Sequence, residues 1–366
     1  MPNSAHTTES ARQAHSDSIE RILVIKLRHH GDMLLLTPVI NTLHDNYPSA
    51  QIDVLLYSET QPMLAQHPAI HALRVIDRQW KKLGVRRQLA EEFALLRQLR
   101  RQRYDLVLNL ADQWRSAILT AVTGAPQRIG LDLPKRRGWL WSHCHTTLID
   151  CQPLQQMHTV EQNLAILAPL QLPTQNVQVT MAYAPTDSAK VVERCHALGI
   201  DKPYVVIQPS ARWFFKCWQN ARFAEVIDAL QQDGYAVILT SGPDAREQQM
   251  VQEIQALCRQ GQPYSLSGQL TLPQLAALID RAALFIGVDS VPMHMASALQ
   301  TPLIALFGPT KLHFWRPWQA KGKVFWAGDY GTLPDPDSID THTEQRYLDL
   351  IPSKDVIQAA RELLHG

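Results

Sequence analysis

The sequence predicts an α/β protein with two doubly wound domains, each a parallel sheet covered by helices on both faces. Short apolar runs alternate with segments of helical periodicity along most of the chain, which is typical of strand–helix–strand units. The alternation stops once, between residues 170 and 187, where prolines and threonines punctuate the chain, and then it starts again. The length of 366 residues also suits two domains of ordinary size.

We predict the domain boundaries from that interruption. Residues 1–19 are polar and lack the apolar core of a signal peptide, so we expect a disordered N-terminal extension. The first domain is predicted over 20–175, the linker over 176–186 and the second domain over 187–345. No fixed short period recurs, which excludes a repeat array.

The first domain opens with a strand over residues 21–27, whose apolar side chains point to both faces, as in a buried parallel strand. Further strands are predicted over 51–57, 72–76 and 106–110. Helices are predicted over 33–46, 84–103, 116–122 and 158–168. The first strand runs into Arg28-His29-His30-Gly31-Asp32, so polar groups gather where it ends.

The second domain repeats the same alternation. Strands are predicted over 204–208, 236–240, 284–288 and 303–307. Helices are predicted over 190–198, 220–233, 247–260, 272–282 and 356–365, with one more that starts after Asp289 and Ser290. Those two residue types favour a helix N-cap, and Pro292 fits a first helical turn because its missing N–H costs nothing there.

Composition restricts the class of protein. Apolar residues make up 45% and charged residues 19%, as in a folded protein with ample core.

Five widely spaced cysteines favour reduced thiols and a cytosolic protein. No stretch approaches the ~20 apolar residues of a membrane span. Residues 74–103 carry ten basic against three acidic residues, which suits an anionic partner or an anionic membrane surface, although a solvated helix face is equally open.

Several kinds of site are excluded by their missing motifs. No G-x-x-x-x-G-K-[ST] occurs, and the first strand is not followed by G-x-G-x-x-G, so neither a P-loop nor the usual dinucleotide fingerprint is present. His143-Cys144-His145 lacks a second cluster at ligand spacing, and Asp335-Pro336-Asp337 lies in a proline-rich loop. We therefore predict no metal site.

Polar clusters follow successive strands, and these are the candidate site residues. Ser210, Arg212 and Lys216 suit a diphosphate, while the Asp244 carboxylate could accept from ribose hydroxyls. Asp289, Ser290 and His294 surround a predicted helix start, where backbone N–H groups favour phosphate.

In the first domain, Asp32 follows Gly31 at the equivalent place. It could be a general base or simply a helix N-cap.

Three segments carry a resemblance to a known family: RILVIKLRHHGDMLLLTPVI, QPSARWFFKCW and GVDSVPMHMASALQTPLIALFGPT. Together they resemble the bacterial ADP-heptose:lipopolysaccharide heptosyltransferases, glycosyltransferase family 9, over residues 20–366. The details R-x-x-F-K-C-W and D-S-V-P-M-H-M-A are most similar to the heptosyltransferase III branch, which extends the lipopolysaccharide inner core.

The resemblance implies a GT-B fold, with two Rossmann-like domains facing across a cleft and the final helix, 354–366, packed back on the first domain. It implies an inverting transfer of L-glycero-D-manno-heptose from ADP-heptose to a core heptose, without a metal or other cofactor. The partners are then ADP-heptose and the lipid A–core acceptor, with peripheral contact at the inner membrane and no nucleic acid. The location implied is the cytoplasm.

Carried over by motif, Asp32 is the general base. Ser210 and Lys216 hold the donor phosphates, Asp289 holds heptose hydroxyls, and Ser290 and His294 flank the diphosphate. Arg212 and Asp244 complete the donor contacts. On the acceptor side we place Gly31, Arg136 and Arg137, since the basic stretches 74–103 and 133–139 would meet a phosphorylated acceptor.

This chain departs from the family at Val291, where glycine is common, and the lysine loop is about one residue longer. Two alternatives therefore stay open: a GT-B transferase or epimerase that uses UDP-sugars, and a non-catalytic protein that binds nucleotide sugars.

Overall fold

The computed structural model describes residues 19–365, and the chain divides into two compact units, Met1–Thr180 and Met181–Gly366. The division falls inside the predicted linker. The predicted N-terminal extension lies outside the described residues except for Ile19, which is buried.

The first unit is one parallel sheet with helices on both sides. Its strands are β1 (Arg21–Ile25), β2 (Gln51–Tyr57), β3 (Ala72–Ile76), β4 (Leu106–Asn109), β5 (Gln127–Asp132) and β6 (Thr147–Asp150). Its helices are α1 (His30–Leu34), α2 (Thr37–Asn46), α3 (Val85–Arg101), α4 (Trp114–Thr123), α5 (Trp139–Cys144) and α6 (Thr159–Leu164). The strand order is β3-β2-β1-β4-β5-β6, and in the register Val24 of β1 lies between Val54 of β2 and Leu108 of β4.

Sequence patterns missed the outer part of this sheet. Strands β5 and β6 begin and end on polar residues and are only partly buried, so neither shows the continuous apolar run of a central strand. The helix predicted over 33–46 is two helices, because Leu35 and Leu36 form a turn and Pro38 restarts the helix in its first turn. The Thr37 hydroxyl donates to the Leu34 carbonyl at 2.7 Å across that junction.

The second unit repeats the architecture. Its strands are β7 (Tyr204–Gln208), β8 (Ala236–Leu239), β9 (Tyr264–Ser265), β10 (Leu284–Val288), β11 (Leu303–Phe307) and β12 (Gly322–Trp326). Its helices are α7 (Pro185–Ala197), α8 (Asn220–Gln232), α9 (Ala245–Leu257), α10 (Leu272–Asp280), α11 (Val291–Ala298), α12 (Leu312–Trp315) and α13 (Ser353–His365). The strand order β12-β11-β10-β7-β8-β9 is all parallel, with Ile286 of β10 between Ile304 and Ile207.

The segment predicted as a linker is structured at both ends. Its first residues belong to the first unit, where Asn176 N and Thr180 N donate to the hydroxyls of Thr42 and Thr37 on α2 at 2.9 and 2.8 Å. Its last residues start α7 at Pro185, because proline suits a first helical turn. The residues between are the connection.

The final helix, α13, packs on the second unit, so the expectation that it packs back on the first domain is corrected. Val356, Ala359 and Ala360 are buried in the core that β7, β10 and β11 share with α8. These residues stand at the i, i+3, i+4 spacing that aligns side chains on one face of a helix, so α13 presents an apolar stripe to this core.

No helix within residues 19–365 combines the length and the apolar character needed to cross a bilayer.

Candidate active site

The second sheet reverses its strand order between β7 and β10, and the polar loops meet there. In a doubly wound sheet the loops after two such strands leave in opposite directions and open a crevice at their carboxyl ends. The loop after β7 carries Ser210, Arg212 and Lys216, while β10 is followed by Asp289 and Ser290.

Lys216 and Asp289 bridge this switch point. The Lys216 Nζ donates to Asp289 Oδ2 at 2.6 Å, and the two side chains are only 14% and 6% exposed. An ammonium and a carboxylate held this close, and largely shielded from water, attract each other strongly and hold each other in place. Lys216 Nζ also lies 5.2 Å from the centre of the Trp213 ring. The pair therefore fixes an ammonium group at the mouth of the crevice.

Helix α11 starts beside this pair. Ser290 is its N-cap residue, but its hydroxyl accepts no hydrogen bond from the helix N–H groups and instead donates to the Val288 carbonyl at 3.2 Å. His294 lies in the first turns of α11 and is 5% exposed. The helix start brings backbone N–H groups to the end of β10, and such groups attract phosphate.

Ser210 is buried in a hydrogen-bond network that joins two loops. Its hydroxyl donates to Glu247 Oε2 at 2.6 Å and accepts from Gln208 Nε2 at 3.1 Å. The same Glu247 oxygen accepts from the Gly242 N–H at 3.2 Å, and a Cβ on Gly242 would lie 3.0 Å from Glu247 Oε1. The Ser210 side chain is thus engaged in tying the loop after β7 to the loop after β8.

Arg212 and Asp244 make contacts other than the Lys216–Asp289 ion pair. Asp244 is the N-cap of α9, and its Oδ1 accepts from the Arg246 N–H at 2.9 Å. Arg212 is exposed and lies over Trp213, 5.9 Å from the ring centre. The Arg212 guanidinium and the Lys216 ammonium thus both lie near the Trp213 indole ring.

Sequence reasoning missed Glu247 and the environment of Phe214. Glu247 looked like an ordinary residue in the first turn of a helix, and only the fold shows its contact with Ser210. Arg246 lies over the Phe214 ring at 3.7 Å and Arg346 at 5.7 Å, while Arg246 also pairs with Glu344. A run such as F-F-K-C-W gives no sign that two arginines distant in sequence will cover it.

In the first unit, Gly31 and Asp32 lie in α1, directly after β1. Asp32 is partly exposed, and its Oδ2 accepts from the His29 N–H at 3.2 Å, so it serves as a capping residue in this structure. Burial lowers the pKa of the Lys26 ammonium, and the neighbouring Asp32 carboxylate acts in the opposite direction. Lys26 Nζ donates to Asn163 Oδ1 at 2.9 Å, and the Gly31 carbonyl accepts from Leu35 N at 3.1 Å.

The two predicted acceptor arginines make different contacts. Arg136 Nε donates to the Asp112 carbonyl at 2.6 Å, and the Asp112 carboxylate pairs with Arg28 at 2.9 Å, so Arg136 lies at the switch point between β1 and β4. Arg137 instead pairs with Asp132 at 3.0 Å and is exposed. Only Arg136 is therefore close to the end of β1.

The His143-Cys144-His145 run does not gather at one point. His145 is buried and its Nε2 is 3.0 Å from Asn109 Nδ2, whereas His143 Nδ1 is 2.7 Å from the Trp139 carbonyl. Within residues 19–365, no three His, Cys, Asp or Glu side chains are grouped so as to hold a metal ion.

Known proteins with similar sequences and structures fit this architecture. Residues 92–345 match glycosyltransferase family 9 (heptosyltransferase). Lipopolysaccharide heptosyltransferase 3 of Escherichia coli is 46% identical over 338 residues, which is 92% of this chain and 97% of that protein.

Two crystal structures share the fold. The family 9 glycosyl transferase of Veillonella parvula has a TM-score of 0.81 at 24% identity and covers 94% of this chain and 97% of its own. The E. coli ADP-heptose lps heptosyltransferase II has a TM-score of 0.74 at 24% identity, over 94% and 98%.

The GT-B fold class predicted from the sequence is confirmed, with two Rossmann-like units that each have a switch point. The identity and the family match extend over most of the chain and include the loops after β7 and β10. This protein is therefore a glycosyltransferase that belongs to family 9, the heptosyltransferases.

Proposed function

We propose that this protein transfers L-glycero-D-manno-heptose from ADP-heptose to a heptose of the lipopolysaccharide inner core, in the manner of a heptosyltransferase of the third type. The observation that carries the proposal is the shielded Lys216–Asp289 pair at the switch point between β7 and β10, beside the start of α11. The 46% identity to a heptosyltransferase 3 supports the choice of sugar and acceptor.

On the donor side, Lys216 exchanges its contact with Asp289 for the diphosphate, and Asp289 is then free to accept from heptose hydroxyls. The ammonium group and the N–H groups at the start of α11 stabilise the charge that grows on the leaving ADP. Ser290 and His294 flank the diphosphate. Arg212 adds charge from the same loop as Lys216, and Asp244 accepts from the ribose.

Ser210 contributes to this site through the loop that it holds. The Ser210 hydroxyl already donates to Glu247, so we assign Ser210 the role of shaping the loop before Lys216. The backbone N–H groups of that loop are then the groups that bind phosphate.

Asp32 is the proposed general base. Its carboxylate accepts one backbone N–H and is partly exposed, so it can take a proton from an acceptor hydroxyl without breaking a buried network. Attack from the face opposite ADP inverts the anomeric centre through an oxocarbenium-like state. Gly31 lets the acceptor approach, and Arg136 and Arg137 bind its phosphates.

The charge on the diphosphate is met by protein groups in this proposal, so we expect transfer to need no divalent cation. Excess chelator should leave the rate of transfer unchanged. A rate that falls with chelator and returns with Mg²⁺ would contradict the metal-free mechanism.

We place the reaction at the cytoplasmic face of the inner membrane, since the acceptor implied by the relative is a lipid-anchored saccharide. The basic residues of 74–103 supply the positive charge that attracts such a surface.

Transfer can be tested with the purified protein, ADP-heptose and lipopolysaccharide from a strain that lacks this protein. Mass spectrometry should show one heptose added to the core, and ADP should be released. The Asp32→Asn variant should lose ~10²-fold or more of the rate and keep its ADP affinity.

The matched control is Asp45→Asn, which changes an exposed aspartate of the same unit that bonds Asn176 at 2.9 Å. This variant should transfer at the wild-type rate. Wild-type rates in Asp32→Asn would overturn the base assignment, and turnover of UDP-sugars in place of ADP-heptose would overturn the donor.

A further inference from the structure

Helix α3 has a second apolar row that faces solvent. Val85, Leu89 and Phe93 are 73%, 62% and 67% exposed, whereas Leu95 and Leu99 of the same helix are buried in the core of the first unit. A helix that covers a sheet needs only one apolar stripe. Large apolar side chains aligned in solvent mark a surface that binds something.

The spacing of the row places it in one narrow arc. A helix turns about 100° per residue, so side chains four apart shift by about 40° and the three lie within an arc of ~80°. Arg86 and Arg97 follow in the next ~40° of arc on the exposed side of the helix, by the same geometry. The single row of apolar side chains is thus bordered by a row of guanidinium groups.

The acidic residue nearest this row is turned to the protein. Glu92 Oε1 pairs with Arg115 at 2.6 Å, and its side chain is 27% exposed. Glu91 is the one acidic residue of α3 that is exposed, against five exposed arginines, so the outer face keeps a net positive charge. Residues 74–103 as a whole carry ten basic against three acidic residues, so the surroundings of the apolar row are strongly cationic.

The exposed face of α3 carries an open depression of about 520 Å³ beside Phe93. Its lining includes Ala90, Phe93 and Ala94 together with Arg97 and Arg101. Apolar side chains next to two guanidinium groups suit a molecule that has a hydrocarbon part joined to a phosphate.

We propose that α3 is an in-plane membrane anchor that inserts Val85, Leu89 and Phe93 between the head groups of an anionic phospholipid bilayer, while Arg86, Arg97 and Arg101 bind lipid phosphates. A large apolar face bordered by arginines is the pattern of interfacial helices, and the arginine stems can lie along the apolar surface while their heads reach the phosphates. The inference deepens the proposed function by naming the element that holds the enzyme at its lipid-anchored acceptor.

Charge complementarity favours a bilayer over a second copy of this chain. In a symmetric pair the same patch meets itself, so the cationic rows would be brought together. An anionic lipid surface instead neutralises each of them.

The test is flotation of the full-length protein with vesicles of phosphatidylglycerol and phosphatidylethanolamine, compared with vesicles of phosphatidylcholine alone. Wild type should float with the anionic vesicles and not with the neutral ones. Leu89→Ser/Phe93→Ser should lower the bound fraction ~10-fold or more, because most of the inserted apolar area is lost. Arg86→Glu/Arg97→Glu should do the same.

Matched controls lie in the second unit. Leu257→Ser changes a leucine that is 47% exposed, and Lys190→Glu/Lys202→Glu reverses two exposed lysines. Both controls should float as wild type does. Since all these side chains are exposed, melting temperatures should be unchanged in every variant.

Three results would overturn the proposal. The first is that Leu89→Ser/Phe93→Ser floats as well as wild type does. The second is that wild type binds neutral and anionic vesicles equally. The third is that wild type is a dimer in lipid-free solution and that this variant is a monomer. The last result would assign the row to self-association.

A second readout separates this inference from the proposed function. Leu89→Ser/Phe93→Ser should keep the wild-type rate with a de-acylated, water-soluble core acceptor and lose rate only with lipopolysaccharide embedded in anionic vesicles. If wild type fails to transfer to the soluble acceptor, the proposed function fails, and the flotation result still decides the anchor.

Discussion

Lys216 and Asp289 hold each other at the switch point between β7 and β10, so the ammonium group has a fixed position at the proposed diphosphate site. The pair is largely shielded from water, which makes removal of one partner costly, because the other charge is left buried. The sequence identified both residues as donor ligands. It gave no sign that they contact each other, because they are 73 positions apart.

Lys216→Ala should weaken ADP binding by ~10-fold to 100-fold, since it removes a charge-assisted contact of about 1.5–3 kcal/mol. Isothermal titration calorimetry with ADP measures this directly. Lys311→Ala is the matched control, because Lys311 also pairs with an aspartate, Asp337, but at an exposed position. Unchanged affinity in Lys216→Ala would remove Lys216 from the phosphate site.

The loops after β7 and β8 of the second unit are joined by the carboxylate of Glu247. Glu247 in the first turn of α9 accepts from Ser210 in the loop after β7 and from Gly242 in the loop after β8. Sequence periodicity predicted α9 two residues late at its start and three residues too long at its end. It therefore located the helix without revealing that Glu247 reaches the loops after β7 and β8.

Glu247→Ala should destabilise the second unit by about 1–3 kcal/mol, because the fully buried Ser210 hydroxyl loses its acceptor. It should also weaken ADP binding, since the loop before Lys216 loses its tie. Urea denaturation and calorimetry measure the two effects. The control is Glu253→Ala, which removes a carboxylate of the same helix that accepts from Asn220 Nδ2 at an exposed position. This control should change the free energy of unfolding little. Equal stability of both variants would contradict the structural role of Glu247.

At the scale of the whole molecule, the two units share one topology and differ in charge. The order β3-β2-β1-β4-β5-β6 recurs as β9-β8-β7-β10-β11-β12, and each switch point is bridged by an ion pair, Arg28–Asp112 and Lys216–Asp289. Residues 1–180 carry 19 basic and 15 acidic residues, residues 181–366 carry 16 and 19, and ten of the 19 basic residues fall within 74–103, the stretch that includes α3. Donor chemistry and attraction to an anionic surface are thus assigned to different units.

Stability of the molecule should depend on pH through His67. Burial lowers the pKa of His67 to about 4, with a smaller effect of the same sign from His44. The unfolded chain binds a proton near pH 6.5, and the folded one does not until about 4, so stability is lost as the pH falls through that interval. The full loss is about 3 kcal/mol, at ~1.4 kcal/mol per unit of pKa.

His67→Asn tests this dependence, because an amide oxygen can replace Nδ1 as acceptor for the Ala69 N–H, which lies at 3.3 Å. The melting temperature of wild type should fall more steeply than that of His67→Asn between pH 6.5 and 4.5. Above pH 7 the two curves should run parallel. Parallel curves over the whole range would show that His67 is protonated in the folded state.

The sequence by itself determined the fold class, the central strands of both sheets and the polar loops that follow β7 and β10. These follow from local rules: apolar runs for buried strands, caps and prolines for helix starts, and polar groups at strand ends. The three segments around Asp32, Lys216 and Asp289 together also indicated the family.

Only the tertiary structure decided which of these residues touch. Two of the contacts join side chains that are distant in sequence: Lys216 with Asp289, and Ser210 with Glu247. The packing of α13 on the second unit and the outward apolar row of α3 depend on which face of each helix meets the sheet. Strands β5 and β6 were missed because they begin and end on polar residues and leave no continuous apolar run. Periodicity shows that α3 has apolar residues, and only packing shows that Leu95 is covered while Phe93 faces water.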